Sequence, residues 1–378
     1  IEKEKVLGGV CLNRGCIPSK ALLYATHQIV SARESVHRGI TFAEPSVDVA
    51  KLRAWKETIL AKLSGGVATL AKMRGVQVIA GRAYFEGSNK LRVETEQGQQ
   101  FIEYDQAILA VGSAPAMPKA FDLGNPRVMT STGALEIEDI PEKLLVVGGG
   151  YIGMELGTVY AGLGSQIVLV EAMESILAGA DADLARPVMA KAKKMFKEIR
   201  LKAKVTKMAT VGKQIKVESE YNGEKLSELY DRVLVSVGRV PNSKDLGLQN
   251  TKVELDEKGF VKVNGQQQTS DPSIYAIGDI AGGILLAHKA HKEARIAVEV
   301  ITGETSTFDS VIPAVVFTDP EIAWCGLTEI EAKEKGIAYE VAKFPWSASG
   351  RALTFDRTDG VTKIIVDPSN DRVLGVGI

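Results

Sequence analysis

The sequence predicts an α/β fold made of two parallel-sheet units of similar design, followed by a smaller mixed α+β region. Three observations predict it. First, the buried run Leu144-Leu145-Val146-Val147 passes through Gly148-Gly149-Gly150-Tyr151-Ile152-Gly153 into an apolar helix, and a second run, Gln166 to Val170, ends on Glu171. Strand, G-x-G-x-x-G turn, helix, strand and acid in register form the pattern of a nucleotide-binding βαβ unit. Second, Tyr104-Asp105, an apolar run, Gly112 and Pro115 recur at the same offsets as Tyr230-Asp231, an apolar run, Gly238 and Pro241, which reads as an internal duplication. Third, from about residue 311 the pattern changes to short strands flanking a helix at 328–335.

Composition narrows the function classes. The 378 residues carry 46 Lys and Arg against 47 Asp and Glu, so there is no electrostatic case for nucleic acid or an anionic membrane. No apolar run is long enough to span a bilayer. The three cysteines, Cys11, Cys16 and Cys325, make no extracellular disulfide framework, and a single exchangeable pair suits a reducing compartment. Cys325, in Ile322-Ala323-Trp324-Cys325-Gly326-Leu327, reads as a small core residue.

The chain opens at Ile1-Glu2-Lys3, which reads as the end of a strand already under way. It then reaches Gly8-Gly9-Val10-Cys11-Leu12-Asn13-Arg14-Gly15-Cys16-Ile17-Pro18-Ser19-Lys20. Residues five apart in a regular helix rise about 7.5 Å, beyond the usual Cα separation of a disulfide. A bridge between Cys11 and Cys16 therefore needs a deformed segment, which Gly15 permits. Pro18 suits the first turn of the helix that follows. At the positive end of that helix Cys16 is favoured as a thiolate, and Lys20 adds a cation one turn on. A structural disulfide and a zinc half-site are the other readings of this spacing, although two cysteines lack the further ligands of a tetrahedral site.

Helices are expected at roughly 18–37 and 46–74. The second is capped by Ser46, with Val49, Leu52, Ile59, Leu63, Val67 and Leu70 as its core face and Lys51, Lys56, Lys62 and Lys72 on its wetted face. Short strands are expected at about 76–80, 90–95 and 100–104, then a buried strand over 104–115 ending in a glycine turn. In the second unit, Glu171 is the acid expected to receive adenosine ribose hydroxyls. Ala172 and Met173 offer no cation for a 2′-phosphate, so NAD is preferred to NADP. The glycine turn matching Gly148, 23 residues before Glu171, has no counterpart ahead of Glu2 and is expected upstream of the first residue.

At the dithiol the sequence closely resembles the active-site segment of the pyridine nucleotide-disulfide oxidoreductases, and motifs along most of the chain fit the same family. The resemblance implies two Rossmann-like domains, binding FAD and NAD, plus part of an α+β dimerisation domain. The implied boundaries are 1–141 and 269–310 for the two parts of the FAD domain, the first lacking its N-terminal glycine turn, 142–268 for the NAD domain, and 311–378 for the interface domain. It implies catalytic roles for Cys11, Cys16, Lys20 and Glu155, the last pairing with Lys20 near the flavin; a solvent-facing helix charge is the plainer reading of Glu155. FAD contacts are implied at Glu2, Gly9, Cys11, Lys20, Ala83, Gly112, Asp279 and Ala287. NAD contacts are implied at Gly148, Gly149, Gly150, Tyr151, Ile152, Gly153, Glu171, Val205, Gly238 and Arg239. By themselves Glu2 reads as a surface charge and Asp279, in Ala276-Ile277-Gly278-Asp279, as a loop capper.

His288 and His291 receive no role from the family and are expected as exposed helix residues, and no metal is expected. Phe344-Pro345-Trp346 to Ala352 also fits the dimerisation domain, and the chain stops at Gly377-Ile378 inside an expected strand, short of the family's catalytic histidine and its glutamate partner. The implied activity is oxidation of protein-bound dihydrolipoyl groups to lipoyl with NAD⁺ as acceptor, through a Cys11–Cys16 disulfide and FAD. A mercuric or other disulfide reductase of the same family, or a non-catalytic docking subunit, is the alternative. The implied partners are a second copy of the chain and the lipoyl domains and acyltransferase core of a 2-oxoacid dehydrogenase complex, in a bacterial cytoplasm or a mitochondrial matrix.

Overall fold

Residues 143–147 and 166–170 are almost wholly apolar, and in the computed structural model, which describes residues 1–378, they form the adjacent parallel strands Lys143–Val147 and Gln166–Val170. They belong to one of two units into which the chain divides. The first unit comprises Ile1–Ile17, Glu57–Pro115 and Arg239–Ser310, the second Pro18–Lys56, Ala116–Gly238 and Val311–Ile378.

In the second unit a five-stranded, fully parallel sheet runs in the order Val128–Met129, Arg232–Val235, Lys143–Val147, Gln166–Val170, Glu198–Arg200. Its strands are buried on both faces, which is why they read as continuous apolar runs rather than alternating ones. Helices Tyr151–Leu163 and Ala182–Met195 pack on one face, through Met154, Leu156, Val159, Leu184 and Val188. On the other face Leu145, Val147, Val168 and Val233 meet Val205, Met208, Ile215 and Val217 of a three-stranded antiparallel meander, Lys204–Val211, Gln214–Tyr221 and Glu224–Tyr230. A second five-stranded sheet, antiparallel throughout, is ordered Ala314–Val316, Ile322–Gly326, Val373–Gly377, Val361–Val366, Glu340–Pro345. All three tryptophans, Trp55, Trp324 and Trp346, lie in this unit.

The first unit holds an antiparallel sheet of Arg82–Gly87, Lys90–Thr95 and Gly98–Glu103, a parallel pair Ala107–Leu109 with Ile274–Ala276, and an antiparallel pair Ser113–Pro115 with Arg239–Pro241. Its core gathers Phe85, Leu109, Leu246, Leu248, Val261, Ile274, Ala276 and Ile280. Gly247 is required here. Its φ is +73° and an added Cβ would sit 2.3 Å from the Phe85 carbonyl oxygen.

Several expected elements differ in detail. The run at 76–80 forms no strand; Ala80 makes an isolated parallel bridge to Glu2, which is also all that remains of a strand at Ile1-Glu2. The expected strand over 104–115 is broken into Ala107–Leu109 and Ser113–Pro115, because Gly112 turns the chain at φ +67°. The long helix spans Val49–Met73, and its first turn is capped by Asp48, whose carboxylate accepts from the Lys51 N–H at 3.0 Å, not by Ser46. Its buried positions are Lys56, Leu60 and Ser64, whereas Leu63 and Leu70 are exposed. Lys56 is buried rather than wetted because its ammonium donates to the Leu135 carbonyl at 2.8 Å, satisfying a helix end as the aliphatic stem packs. Cys325 lies on Ile322–Gly326 half-buried, not in the core. His288 and His291 are exposed, as expected.

Candidate active site

The glycine turn of the second unit is shaped by crowding. Gly148 has φ +106°, and an added Cβ would lie 2.4 Å from the Ser236 carbonyl oxygen. At Gly153 the added Cβ would lie 2.0 Å from the Gly148 oxygen, so the helix crosses the turn at backbone contact. Gly150 faces open space and caps the helix that begins at Tyr151. Amides at such a helix start, with the dipole behind them, attract an anion such as a pyrophosphate.

Glu171 accepts from the Gly149 N–H at 2.5 Å and from the Met173 N–H at 2.7 Å, which fixes the carboxylate against the turn. The Ala203 N–H donates to the Glu171 carbonyl, so Val205, buried on the next strand, follows two residues after a direct contact. Gly238 has φ +126° with open space beside it. This side of the turn is therefore a glycine cradle with an acid at its rim, the form that adenosine ribose and pyrophosphate fit.

Ser236 was not anticipated. Its hydroxyl lies 3.0 Å from the Val147 oxygen and 3.1 Å from the Gly148 oxygen, tying two strands at the turn. The signal was in the duplication: Ser236 stands where the first copy has Ala110.

In the same unit Glu155 projects from Tyr151–Leu163 into a buried site. It accepts from the Ser19 hydroxyl and the Phe317 N–H, each at 3.1 Å. Burial pushes its carboxyl above the ordinary value, and the Lys20 ammonium pulls it back. Lys20 in turn stands 3.7 Å over the centre of the Phe317 ring. Lys20 is thus near enough to act on the Glu155 carboxyl electrostatically, and Phe317, which the sequence did not single out, touches both. The reading of Glu155 as a solvent-facing charge is corrected by its burial.

In the first unit Cys11 lies in the short helix Gly9–Arg14 and Cys16 opens the helix Cys16–Glu34; both are half-buried. Gly15 separates them at φ −147°, ψ −106°, and a Cβ there would come 3.1 Å from the Val10 oxygen. The helix is interrupted where a bridge between the two sulfurs requires it. Gly9 has φ +65°, and the Asn13 amide donates to the Leu7 and Gly9 carbonyls, closing the loop before the cysteines.

Asp279 accepts from the Ser113 hydroxyl, which itself accepts from Arg239 Nε at 2.7 Å; Arg239 Nη2 also donates to the Ser113 carbonyl at 2.8 Å. Arg239, expected with the NAD contacts, thus has its guanidinium on Ser113 and 3.6 Å from Asp279. A carboxylate steadied on one side by a hydroxyl and a guanidinium has further lone pairs for the hydroxyls of a flavin side chain. Ala287 opens the helix Ala287–Ile301, Ala83 lies half-buried opposite Val93, and Glu2 accepts from the Glu4 N–H.

With this geometry established, comparison with known proteins is decisive. Residues 1–294 match the family model for pyridine nucleotide-disulphide oxidoreductase, and residues 312–378 match the dimerisation domain of the same family. The chain belongs to that family. It is 45% identical over 382 residues to a dihydrolipoyl dehydrogenase of Vibrio parahaemolyticus, covering 100% of this chain and 80% of the relative. It is 44% identical over 380 residues to one of Bacillus subtilis, covering 100% and 81%. Among solved structures it resembles the HOCl-induced flavoprotein disulfide reductase RclA from Escherichia coli, with TM-score 0.86, 28% identity, and 100% and 82% of the two chains covered. LpdA from Mycobacterium tuberculosis superposes with TM-score 0.89 at 24% identity over 99% and 82%, a likeness of fold. The chain is accordingly an α/β oxidoreductase that uses FAD and NAD and carries a dimerisation domain. No helix is long and apolar enough to cross a membrane.

Proposed function

We propose that the chain oxidises protein-bound dihydrolipoyl groups to lipoyl with NAD⁺ as acceptor, through a disulfide between Cys11 and Cys16. The observation that carries the reading is Cys16 opening a helix of 19 residues immediately after the Gly15 break, with Cys11 on the short helix before it, in a chain 45% identical to a dihydrolipoyl dehydrogenase.

The steps follow from thiol–disulfide chemistry. A substrate thiolate attacks the Cys11 sulfur, the Cys11–Cys16 bond breaks, and Cys16 leaves as a thiolate favoured by its helix terminus. The second substrate thiol, losing its proton, attacks the mixed disulfide at the substrate sulfur, so lipoyl departs and Cys11 is left reduced. Bound FAD supplies the two-electron chemistry that restores the disulfide and reduces NAD⁺ to NADH, with one proton released overall. Lys20 offsets negative charge beside Cys16; buried Glu155 attracts its ammonium through space, and the ammonium rests over the Phe317 ring.

In this reading Asp279, steadied by Ser113 and Arg239, takes the ribityl hydroxyls, while Glu2, Gly9, Ala83, Gly112 and Ala287 complete the FAD side. Gly148 to Gly153, Glu171, Val205 and Gly238 hold NAD, and the functional division is 1–141 with 269–310, 142–268, and 311–378. The partners are a second copy and the lipoyl domains and acyltransferase core of a 2-oxoacid dehydrogenase complex, in a bacterial cytoplasm; the bacterial relatives support that setting.

The test is an anaerobic dithiol titration of the flavin-loaded protein. A long-wavelength thiolate-to-flavin absorption band is expected at two electrons. Cys11→Ser is expected to abolish lipoamide turnover while leaving flavin bound, and unchanged turnover would refute the assignment. Glu171, engaged by two backbone amides, favours NADH over NADPH, and lipoamide over glutathione disulfide and mercuric ion is expected in side-by-side assays.

A further inference from the structure

Two charged side chains that the mechanism does not use are buried together in the first unit. Lys289 and Glu293 lie one turn apart on the helix Ala287–Ile301, each 5% exposed. Their ammonium and carboxylate meet at 2.5 Å. The other Glu293 oxygen accepts from the Gly278 N–H at 2.6 Å, and Lys289 Nζ lies 3.4 Å from the Gly278 carbonyl oxygen. The pair therefore grips both polar groups of a single peptide residue.

Gly278 is an unusual residue to grip. Its φ is +74°, and an added Cβ would come 3.2 Å from the Ala290 Cβ of the same helix. A backbone in that region needs external hydrogen bonds to hold one conformation, since glycine itself prefers no particular one. The next residue is Asp279, whose side chain accepts from the Ser113 hydroxyl. A hydrophobic pair of similar size would fill the same space with less desolvation, so filling space does not account for two buried charges. Directed, charge-assisted hydrogen bonds to a backbone N–H do.

We propose that Lys289 and Glu293 are positioning residues for flavin binding: they lock the Gly278 peptide, and so set the direction in which Asp279 presents its carboxylate. This rests on the reading of Asp279 as a flavin contact. The helix that carries the pair would then couple its own N-terminus, at Ala287, and the Asp279 turn into one rigid receptor.

The test measures FAD affinity by fluorescence quenching on reconstitution of the flavin-stripped protein, together with the thermal midpoint of the stripped protein. Variants are Glu293→Gln, Lys289→Met, the double variant Lys289→Met/Glu293→Gln, which removes both charges at nearly constant volume, and Asp279→Asn alone and added to the double variant. The double variant is expected to keep the parent's flavin-free midpoint within a few degrees while losing at least tenfold in FAD affinity. Adding Asp279→Asn to it is expected to cost much less than Asp279→Asn costs the parent, because the carboxylate is already misdirected.

If Asp279→Asn weakens FAD but the double variant binds within twofold of the parent, or the two losses multiply independently, the positioning role is overturned and the reading of Asp279 stands. If Asp279→Asn leaves FAD affinity unchanged, that reading fails and the proposal falls with it.

Discussion

At the residue scale the informative side chains are charged ones in dry surroundings. Glu155 combines burial with a lysine partner, and a carboxyl raised above its ordinary 4.5 stabilises the fold fully below that value and progressively less as pH rises through the raised one. Lys20 lowers it, so Lys20→Met should raise it further. We therefore predict that Lys20→Met loses more thermal stability at pH 8 than at pH 5, relative to the parent; equal losses at both would show that Lys20 does not hold the carboxylate. The cysteines, Lys20 and Glu171 were legible in the sequence because their meaning lies in short-range spacing. Phe317, Ser113 and the burial of Lys56 were not. Each depends on a partner far along the chain, and local periodicity carries no sign of it.

At the element scale the same distinction holds. Strand, glycine turn, helix and strand over 143–170 were readable almost to the residue, since sterics at Gly148 and Gly153 leave one solution. Gly153→Ala should cost about 1–3 kcal/mol through overpacking and weaken NADH binding at least tenfold, measured by fluorescence titration; parent-like affinity would mean that the helix does not need its close approach. Less legible was the junction of Ala182–Met195 with Glu329–Lys335. Asp181 accepts from the Glu329 and Ile330 N–H groups at 3.0 and 3.1 Å, capping the second helix from a residue far upstream. Lys363, 1% exposed, places its ammonium among Asp181, Asp183 and Glu329 at 2.6, 2.8 and 2.9 Å. Burial alone would lower the lysine, but these three partners outweigh it and raise it. Lys363→Met strands buried Asp181 without its cation, and a loss of about 3–5 kcal/mol is expected by urea unfolding.

For the whole molecule, the two units have unequal cores. The first closes around one cluster of eight buried apolar residues, and the second around clusters of 24 and 12. Stability follows apolar burial, so in the flavin-free protein the first unit is expected to open at lower urea than the second, giving a two-step loss of ellipticity. Excess FAD, binding by our reading to the first unit, should move the first step toward the second. A single step insensitive to FAD would contradict the unequal cores.

The tryptophans turn this asymmetry into an optical label. Trp55, Trp324 and Trp346 all sit in the second unit, and the indole of Trp346 donates to the Thr362 hydroxyl at 3.0 Å. Indole emission therefore reports chiefly on the second unit, and a melt followed by intrinsic fluorescence alone overstates the resilience of the half that carries Cys11 and Cys16.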